Sequence, residues 1–463
     1  MPSPTARSSA PARFRGVGSR LTARPTPRLV HYVTLFVAFA WICVYARDQW
    51  FFFDEWDFLK LSSTDFLAAH NGHWSTAPML LTQALVRTVG MNSYWPYLVP
   101  VILAHVALAH VLWRVMARIG VNLWIATGLA LVFALYGAGA EDILWAFQFG
   151  FVGAILLGTI ALLLTDGLTR ATFVRRGALI AALSIVALTF AGTAIPLVAA
   201  TGFLALRRVG WLRALGLVAV PGVIYLLWYG YAKSQNYSFT PADWQPHTLT
   251  QALIDTPLYA GRMIIGALDG LTPVPYLGGA VAVALVVYLF VTIRRQWRSA
   301  PIVLALPVAG VLFALMTASV RLNLSAEAAT SSRYVYFAFA MLLPLVAVAL
   351  NDLTTRRRVV LPVVLAGAAA LSIFGALGIR TAATEQAVVE TRSHMVVSAA
   401  ISLIEDPSAL VRESASVDPV SAPLLTVHDL RELTDAGAIT PGQFDQGAYD
   451  TAVTNIVLSA ETQ

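Results

Sequence analysis

A single cysteine, Cys43, stands among 463 residues. That excludes an internal disulfide and any cysteine-rich zinc or iron–sulfur site. Lysine is nearly absent: Lys60 and Lys233 are two of 31 basic residues, and the other 29 are arginine, a bias we ascribe to genomic base composition. Charge of either sign is scarce. Asp, Glu, Lys and Arg make up 12% of the chain, against roughly 25% in an average soluble domain. The chain also lacks a P-loop, a dinucleotide-type glycine signature after a strand and a G-x-S-x-G elbow. Cys43 lies in an apolar run, where a thiolate is disfavoured, so it makes a poor nucleophile. These absences disfavour a disordered protein, a fibrous repeat and an ordinary cytosolic enzyme.

Apolar residues dominate instead. They are 58% of the chain, and the mean hydropathy is +0.70. A hydrocarbon core of ~30 Å needs ~20 apolar residues in a helix. Runs of about that length begin near Leu29, Trp95, Val121, Ile143, Leu212, Tyr276, Ala300, Tyr334 and Val359. Residues 177–206 are apolar as well, but Gly192, Thr193 and Pro196 interrupt them. As one helix this stretch is ~45 Å long, too long for a bilayer. As two helices each is only about 14 residues by the same rise per residue.

Charge placement decides between the two. Short cytoplasmic loops are enriched in Lys and Arg. The amino-terminal tail holds Arg7, Arg13, Arg15, Arg20, Arg24 and Arg28 with no acid, and belongs in the cytosol. Two short helices make eleven spans. Twenty basic residues then fall inside, with two acids, Asp166 and Asp352; the other 23 acids fall outside. One long helix would flip every later loop and move nine arginines outward. The expected protein is therefore an all-α, polytopic membrane protein of about 11 transmembrane helices, N-terminus in and C-terminus out. The net charge of +6 becomes a set of topological anchors, and nucleic-acid binding loses its main support. Residues 1–28 read as a flexible tail, 29–380 as the membrane domain with long outer loops at about 48–94 and 233–275, and 381–463 as a small extracytoplasmic region with helical signals at 387–403 and 429–436.

Two acidic patches fall on the outer side. The first is Trp50-Phe51-Phe52-Phe53-Asp54-Glu55-Trp56-Asp57-Phe58-Leu59, three carboxylates among six aromatics just beyond the first span. If helical, it puts Asp54 and Asp57 on one face and turns Glu55 about 100° away. At the water–lipid boundary, partial desolvation raises a carboxylate pKa and makes a better base near neutral pH. An interfacial helix with aromatics down and acids in water is the plainer alternative. The second patch is Glu141-Asp142. It reads either as the start of the fourth span, where a helix dipole favours an anion, or as a partner of the first cluster across a shared cavity. In the latter case Asp54 and Asp142 are candidate oxygen ligands for Mg²⁺ or Mn²⁺.

His70 and His73, in His-Asn-Gly-His-Trp, share a face if the segment is helical. They are candidates to hydrogen-bond a phosphate or sugar, or else two exposed loop histidines; a zinc site lacks further ligands nearby. Arg262, Arg321 and Arg333 sit on the outer side against the positive-inside trend. An anionic lipid phosphate would account for them, Arg333 first, and snorkelling is the alternative. Lys233 and His247 are weaker candidates. No ionisable Asp, Glu, Lys or Arg falls at a span midplane, which counts against an ion-coupled transporter. His105 and His110, in the second span, read as helix–helix hydrogen-bond partners.

An N-in helix, a long outer loop opening on an acidic motif, many spans and an outer tail resemble the GT-C superfamily of membrane glycosyltransferases. The Phe-Asp-Glu-Trp-Asp-Phe run and the His-Asn-Gly-His-Trp run resemble actinobacterial members. The architectural likeness covers about 29–380. It implies transfer of a sugar, with inversion, from a polyprenyl-phosphate donor to a cell-envelope glycan or lipid acceptor on the outer face of the plasma membrane. Carried over by position, Asp54 is the base candidate, Asp57 the second and Glu55 a supporting acid. Glu141 and Asp142 resemble second-loop acids that join the site in some members, and some members use a divalent metal. Two other functions compete: a lipid-linked glycan flippase or transporter, and a membrane O-acyltransferase using His73, His105 or His110.

Overall fold

The computed structural model describes residues 26–62, 65–239, 245–322, 325, 327–357 and 359–458. Arg7, Arg13, Arg15, Arg20, Arg24 and Arg358, counted above as inner anchors, lie outside the described residues. Each of the eleven apolar runs is a helix. The first is α1 (Pro27–Ala46), started by Pro27 and capped by the Thr26 hydroxyl, which accepts from the Leu29 N–H. A long connection follows. It holds the short α2 (Glu55–Leu59), a hairpin of β1 (Ala69–His70) and β2 (His73–Trp74), and α3 (Thr76–Thr88). Then come α4 (Trp95–Arg118), α5 (Leu123–Ala134), the short α6 (Glu141–Leu144) and α7 (Phe149–Asp166).

The stretch at 177–206 forms two helices, α8 (Phe173–Leu188) and α9 (Ala194–Val209), which turn back on each other at 189–193. This is the arrangement that charge placement requires. After α10 (Trp211–Ser234) the second long connection carries α11 (Thr256–Asp269), and α12 (Leu277–Ser299), α13 (Ile302–Arg321) and α14 (Ser332–Arg356) complete the bundle. Eight helices are long and apolar enough to cross a membrane among the described residues. The other three of the eleven are shorter, α5 at 12 residues and α8 and α9 at 16 each.

The two acids expected on the inner side are both neutralised at one end of the bundle. Asp166 accepts from Arg118 Nε at 2.8 Å and from Arg208 Nη2 at 2.5 Å, and Asp352 pairs with Arg295. The ends of α4, α7, α9, α12 and α14 therefore meet on one side.

The next helix, α15 (Val360–Glu405), has 46 residues. At 1.5 Å per residue it spans ~69 Å, more than twice a hydrocarbon core. It passes residue 380 without a break, so the apolar run and the helical signal at 387–403 are one rod. Its far half carries β3 (Ser416–Asp418) paired with β4 (Ala422–Thr426), then α16 (Val427–Asp435) and α17 (Gln446–Ile456). Thr426 and Asp429 close a reciprocal capping box that starts α16. Val397, Ile401, Val417, Leu430 and Ile456 are fully buried in a core shared with the rod.

Candidate functional site

A cavity of about 440 Å³ opens at the end of the bundle opposite Asp166 and Asp352. Its polar lining includes Asp54, His70, Asn71, His73, Arg321 and Arg333. Its apolar wall is built by Phe151 of α7, Ile195 of α9, Tyr225 of α10, and Phe313, Met316 and Val320 of α13. Five residues singled out from sequence, Asp54, His70, His73, Arg321 and Arg333, thus meet in one space. Asp57, Glu55, Glu141 and Asp142 are outside its lining.

The acidic motif is mostly not a helix. Trp50 to Phe52 form no regular element, Phe53 adopts a left-handed φ of 51°, and only Glu55 to Leu59 are helical. Two contacts from the carboxy-terminal region hold this shape. The Trp50 N–H donates to Glu390 Oε2 at 2.6 Å, and the Phe53 N–H to the Ser421 carbonyl at 2.7 Å. Trp50 also stacks on His394, ring centroids 4.2 Å apart.

The three carboxylates then divide. Asp54 faces the cavity, with Oδ2 accepting from Asn71 Nδ2 at 2.9 Å. Asp57 turns to the hairpin, 2.7 Å from His70 Nδ1 and 3.1 Å from Lys60 Nζ. Burial pushes its carboxyl up, but the hydrogen bond and charge of His70 and the charge of Lys60 outweigh this and hold it below the usual range. Glu55 points inward and is 2% exposed. It accepts from the Tyr94 hydroxyl and the Phe52 N–H. Burial, aided by the nearby Glu390 charge, raises its pKa to about 8 against the bonds it accepts. The raised carboxylate expected for this motif is Glu55, which, like Asp57, lies outside the cavity lining.

His70 and His73 stand on a β-hairpin, not a helix, and share a face because they are direct cross-strand partners. The turn is Asn71-Gly72, both left-handed, with φ of 48° and 79°. Asn-Gly between two short runs is the strongest local signal for such a two-residue turn. That signal was available in the sequence and, read, would have delivered Asn71 to the site. The Asp57 bond occupies His70 Nδ1 and leaves Nε2, 3.4 Å from Asn71 Nδ2, on the cavity side. His73 packs on the turn between α8 and α9. Burial lowers its pKa to about 4, with the charges of Arg321, His70 and Arg333 adding to the effect, so it is neutral at pH 7.

Arg333, in the first turn of α14, lies 3.8 Å from Glu141 Oε1. Glu141 Oε1 also accepts from Gln148 Nε2 at 3.4 Å, and its N–H donates to the Ser332 hydroxyl oxygen at 3.1 Å. Asp142 is wholly buried, and neither carboxylate oxygen has a partner among the described residues. Burial, with Glu141 beside it, drives its pKa well up despite Arg333. No group of three or more His, Cys, Asp or Glu that could hold a metal ion occurs among the described residues. Of the two acids suggested by the sequence as oxygen ligands, Asp54 lines the cavity and Asp142 is enclosed in the protein. His105 bonds to the Tyr336 hydroxyl and the Ala134 carbonyl, and His110 to His31, so both bridge helices away from the cavity. Lys233 lies over the Phe239 ring, and His247 bonds to the Ser319 carbonyl.

No family model matches the chain, and no curated protein matches it. A solved structure does: the crystal structure of ArnT from Cupriavidus metallidurans bound to undecaprenyl phosphate. The TM-score is 0.54 and the identity 16%, over 91% of this chain and 87% of that one. The shared feature is the fold: the chain has the helical, polytopic architecture of that protein.

Proposed function

We propose that the protein is a GT-C-type membrane glycosyltransferase that moves a sugar from a polyprenyl-phosphate donor to a cell-envelope acceptor. One observation carries this reading: a carboxylate and two guanidinium groups line the same cavity as an apolar wall built from four span helices. A donor of this class has matching parts, an isoprenoid chain, a phosphate and a polar sugar. The fold is also that of a protein solved with undecaprenyl phosphate bound. Positive-inside charge places the cavity on the extracytoplasmic face, with the N-terminus in the cytosol and residues 381–463 outside.

In this mechanism the acceptor hydroxyl attacks the anomeric carbon and gives its proton to Asp54. The new carbon–oxygen bond forms as the bond from that carbon to the phosphate oxygen breaks. The electron pair leaves with the polyprenyl phosphate, whose growing negative charge Arg321 and Arg333 receive. Attack opposite the leaving group inverts the anomeric centre. Asn71 holds one oxygen of Asp54 and so directs the other toward the acceptor. Asp57 fixes the His70 ring with Nε2 toward the sugar.

The test is transfer from a polyprenyl-phosphate sugar by the purified full-length protein. Asp54→Asn removes the proton acceptor with little change of shape, and general-base catalysis is worth ~10²–10⁴-fold. A loss of that order with an unchanged melting temperature is expected; full activity would remove Asp54 from the role. Transport of a lipid-linked glycan in liposomes without any covalent product would instead favour a flippase.

A further inference from the structure

The opposite end of the bundle carries a second concave feature. A groove of about 1010 Å³ lies between the ends of α4 and α7 and the start of α8. Arg114, Arg118, Arg175 and Arg176 line it, with Leu163 and Leu179 among its apolar residues. Asp166, next in the chain to the lining residue Gly167, is already committed: Arg118 Nε and Arg208 Nη2 occupy its two oxygens. Arg118 spends only its Nε there. Arg176 donates one Nη1 bond to the Gly167 carbonyl at 3.1 Å. A side chain at residue 167 would start 3.0 Å from Arg118 Nη2 and 3.5 Å from Arg176 Nη1. The two guanidinium groups therefore converge over a stretch of bare backbone. Arg114 and Arg175 are exposed and make no hydrogen bond or ion pair with a described residue.

Topology accounts for arginines in these loops, but not for four of them, from the end of α4 and the start of α8, around one groove whose lining holds no acid. Crowded like charges repel unless an anion joins them. The groove lies where apolar helices end, at the depth of lipid headgroups. Guanidinium forks match phosphate oxygens in pairs, and basic pockets between span helices are suited to lipid headgroups. We propose that this groove binds the headgroup phosphate of an anionic phospholipid, its acyl chains lying along Leu163 and Leu179. The proposal stands apart from the transferase reading and from the cavity at the other end.

Binding is measured on the purified full-length protein with phosphatidylglycerol, phosphatidylcholine and inorganic phosphate as separate probes. Phosphatidylglycerol is expected to be retained in preference to phosphatidylcholine and to resist displacement by millimolar phosphate. The Arg114→Gln/Arg175→Gln variant should bind phosphatidylglycerol about tenfold or more weakly, with its melting temperature in lipid-free detergent unchanged. Arg175→Gln alone carries the test if the double variant does not fold. Equal retention of both lipids overturns the proposal. So does undiminished binding by a folded variant, or displacement by free phosphate, which would make the groove a site for a soluble anion.

Discussion

The backbone N–H of Phe53 donates to the carbonyl of Ser421, 2.7 Å away, and so joins the start of the acidic motif to the carboxy-terminal region. The neighbouring Trp50–Glu390 bond does the same from the long rod α15. Together they stabilise the left-handed Phe53, after which Asp54 turns into the cavity and Glu55 away from it. The region beyond residue 380 is thus a structural part of the candidate site. Glu390→Ala leaves the buried Trp50 N–H without an acceptor and should cost ~1–3 kcal/mol. Glu390→Gln keeps an acceptor oxygen and should cost less. Thermal unfolding of the two variants, compared at one pH, checks the order.

Glu55 makes stability depend on pH. Its pKa of about 8 in the folded protein lies above the ordinary 4.5, so folding favours the protonated form. That contribution is full below pH about 4.5 and is lost as pH rises through about 8. Glu55→Gln keeps a neutral side chain of the same size. It should flatten the fall in stability between these limits and melt higher than the parent at pH 9. Parallel curves for the two proteins would show that Glu55 does not titrate as described.

Asp57 and His70 should behave as one unit. Asp57→Asn removes the carboxylate that fixes the ring, and His70→Gln removes the ring. Each is expected to lower turnover about tenfold, ~1.4 kcal/mol of transition-state stabilisation, and the double variant should be little worse than either. Additive losses in a double-mutant cycle would separate the two residues.

The two arginines should act on the donor. Arg333→Ala and Arg321→Ala each remove a charged phosphate partner worth ~1.5–3 kcal/mol, and should raise the donor KM more than that of the acceptor. Arg333→Lys should recover little, because an ammonium lacks the planar fork. A change confined to the acceptor KM would move these residues to the other substrate.

Gly72 tests the hairpin. Its φ of 79° suits glycine, and an added Cβ would lie 2.9 Å from the Phe239 carbonyl oxygen. Gly72→Ala should destabilise by ~1–2 kcal/mol from the left-handed backbone alone. It should also lower transfer by shifting Asn71 off Asp54, which a comparison with Asn71→Ala makes visible: similar losses of rate, with a drop in melting temperature larger for Gly72→Ala.

Much of the architecture was legible from sequence because a bilayer constrains the chain locally. Span length sets the apolar runs, and the sidedness of arginine decided that 177–206 must be two helices. Proximity to the first span was enough to single out 54–57. Which of those carboxylates enters the cavity was decided by the tertiary structure. A five-residue helix has too little periodicity to orient its side chains, so Glu390 and Ser421, more than three hundred residues away, set their directions. The same holds for Glu141 and Asp142, adjacent in the chain yet separated into an ion pair with Arg333 and an enclosed carboxyl. Local pattern dictates where helices begin and end; long-range hydrogen bonds and burial determine what each acid faces.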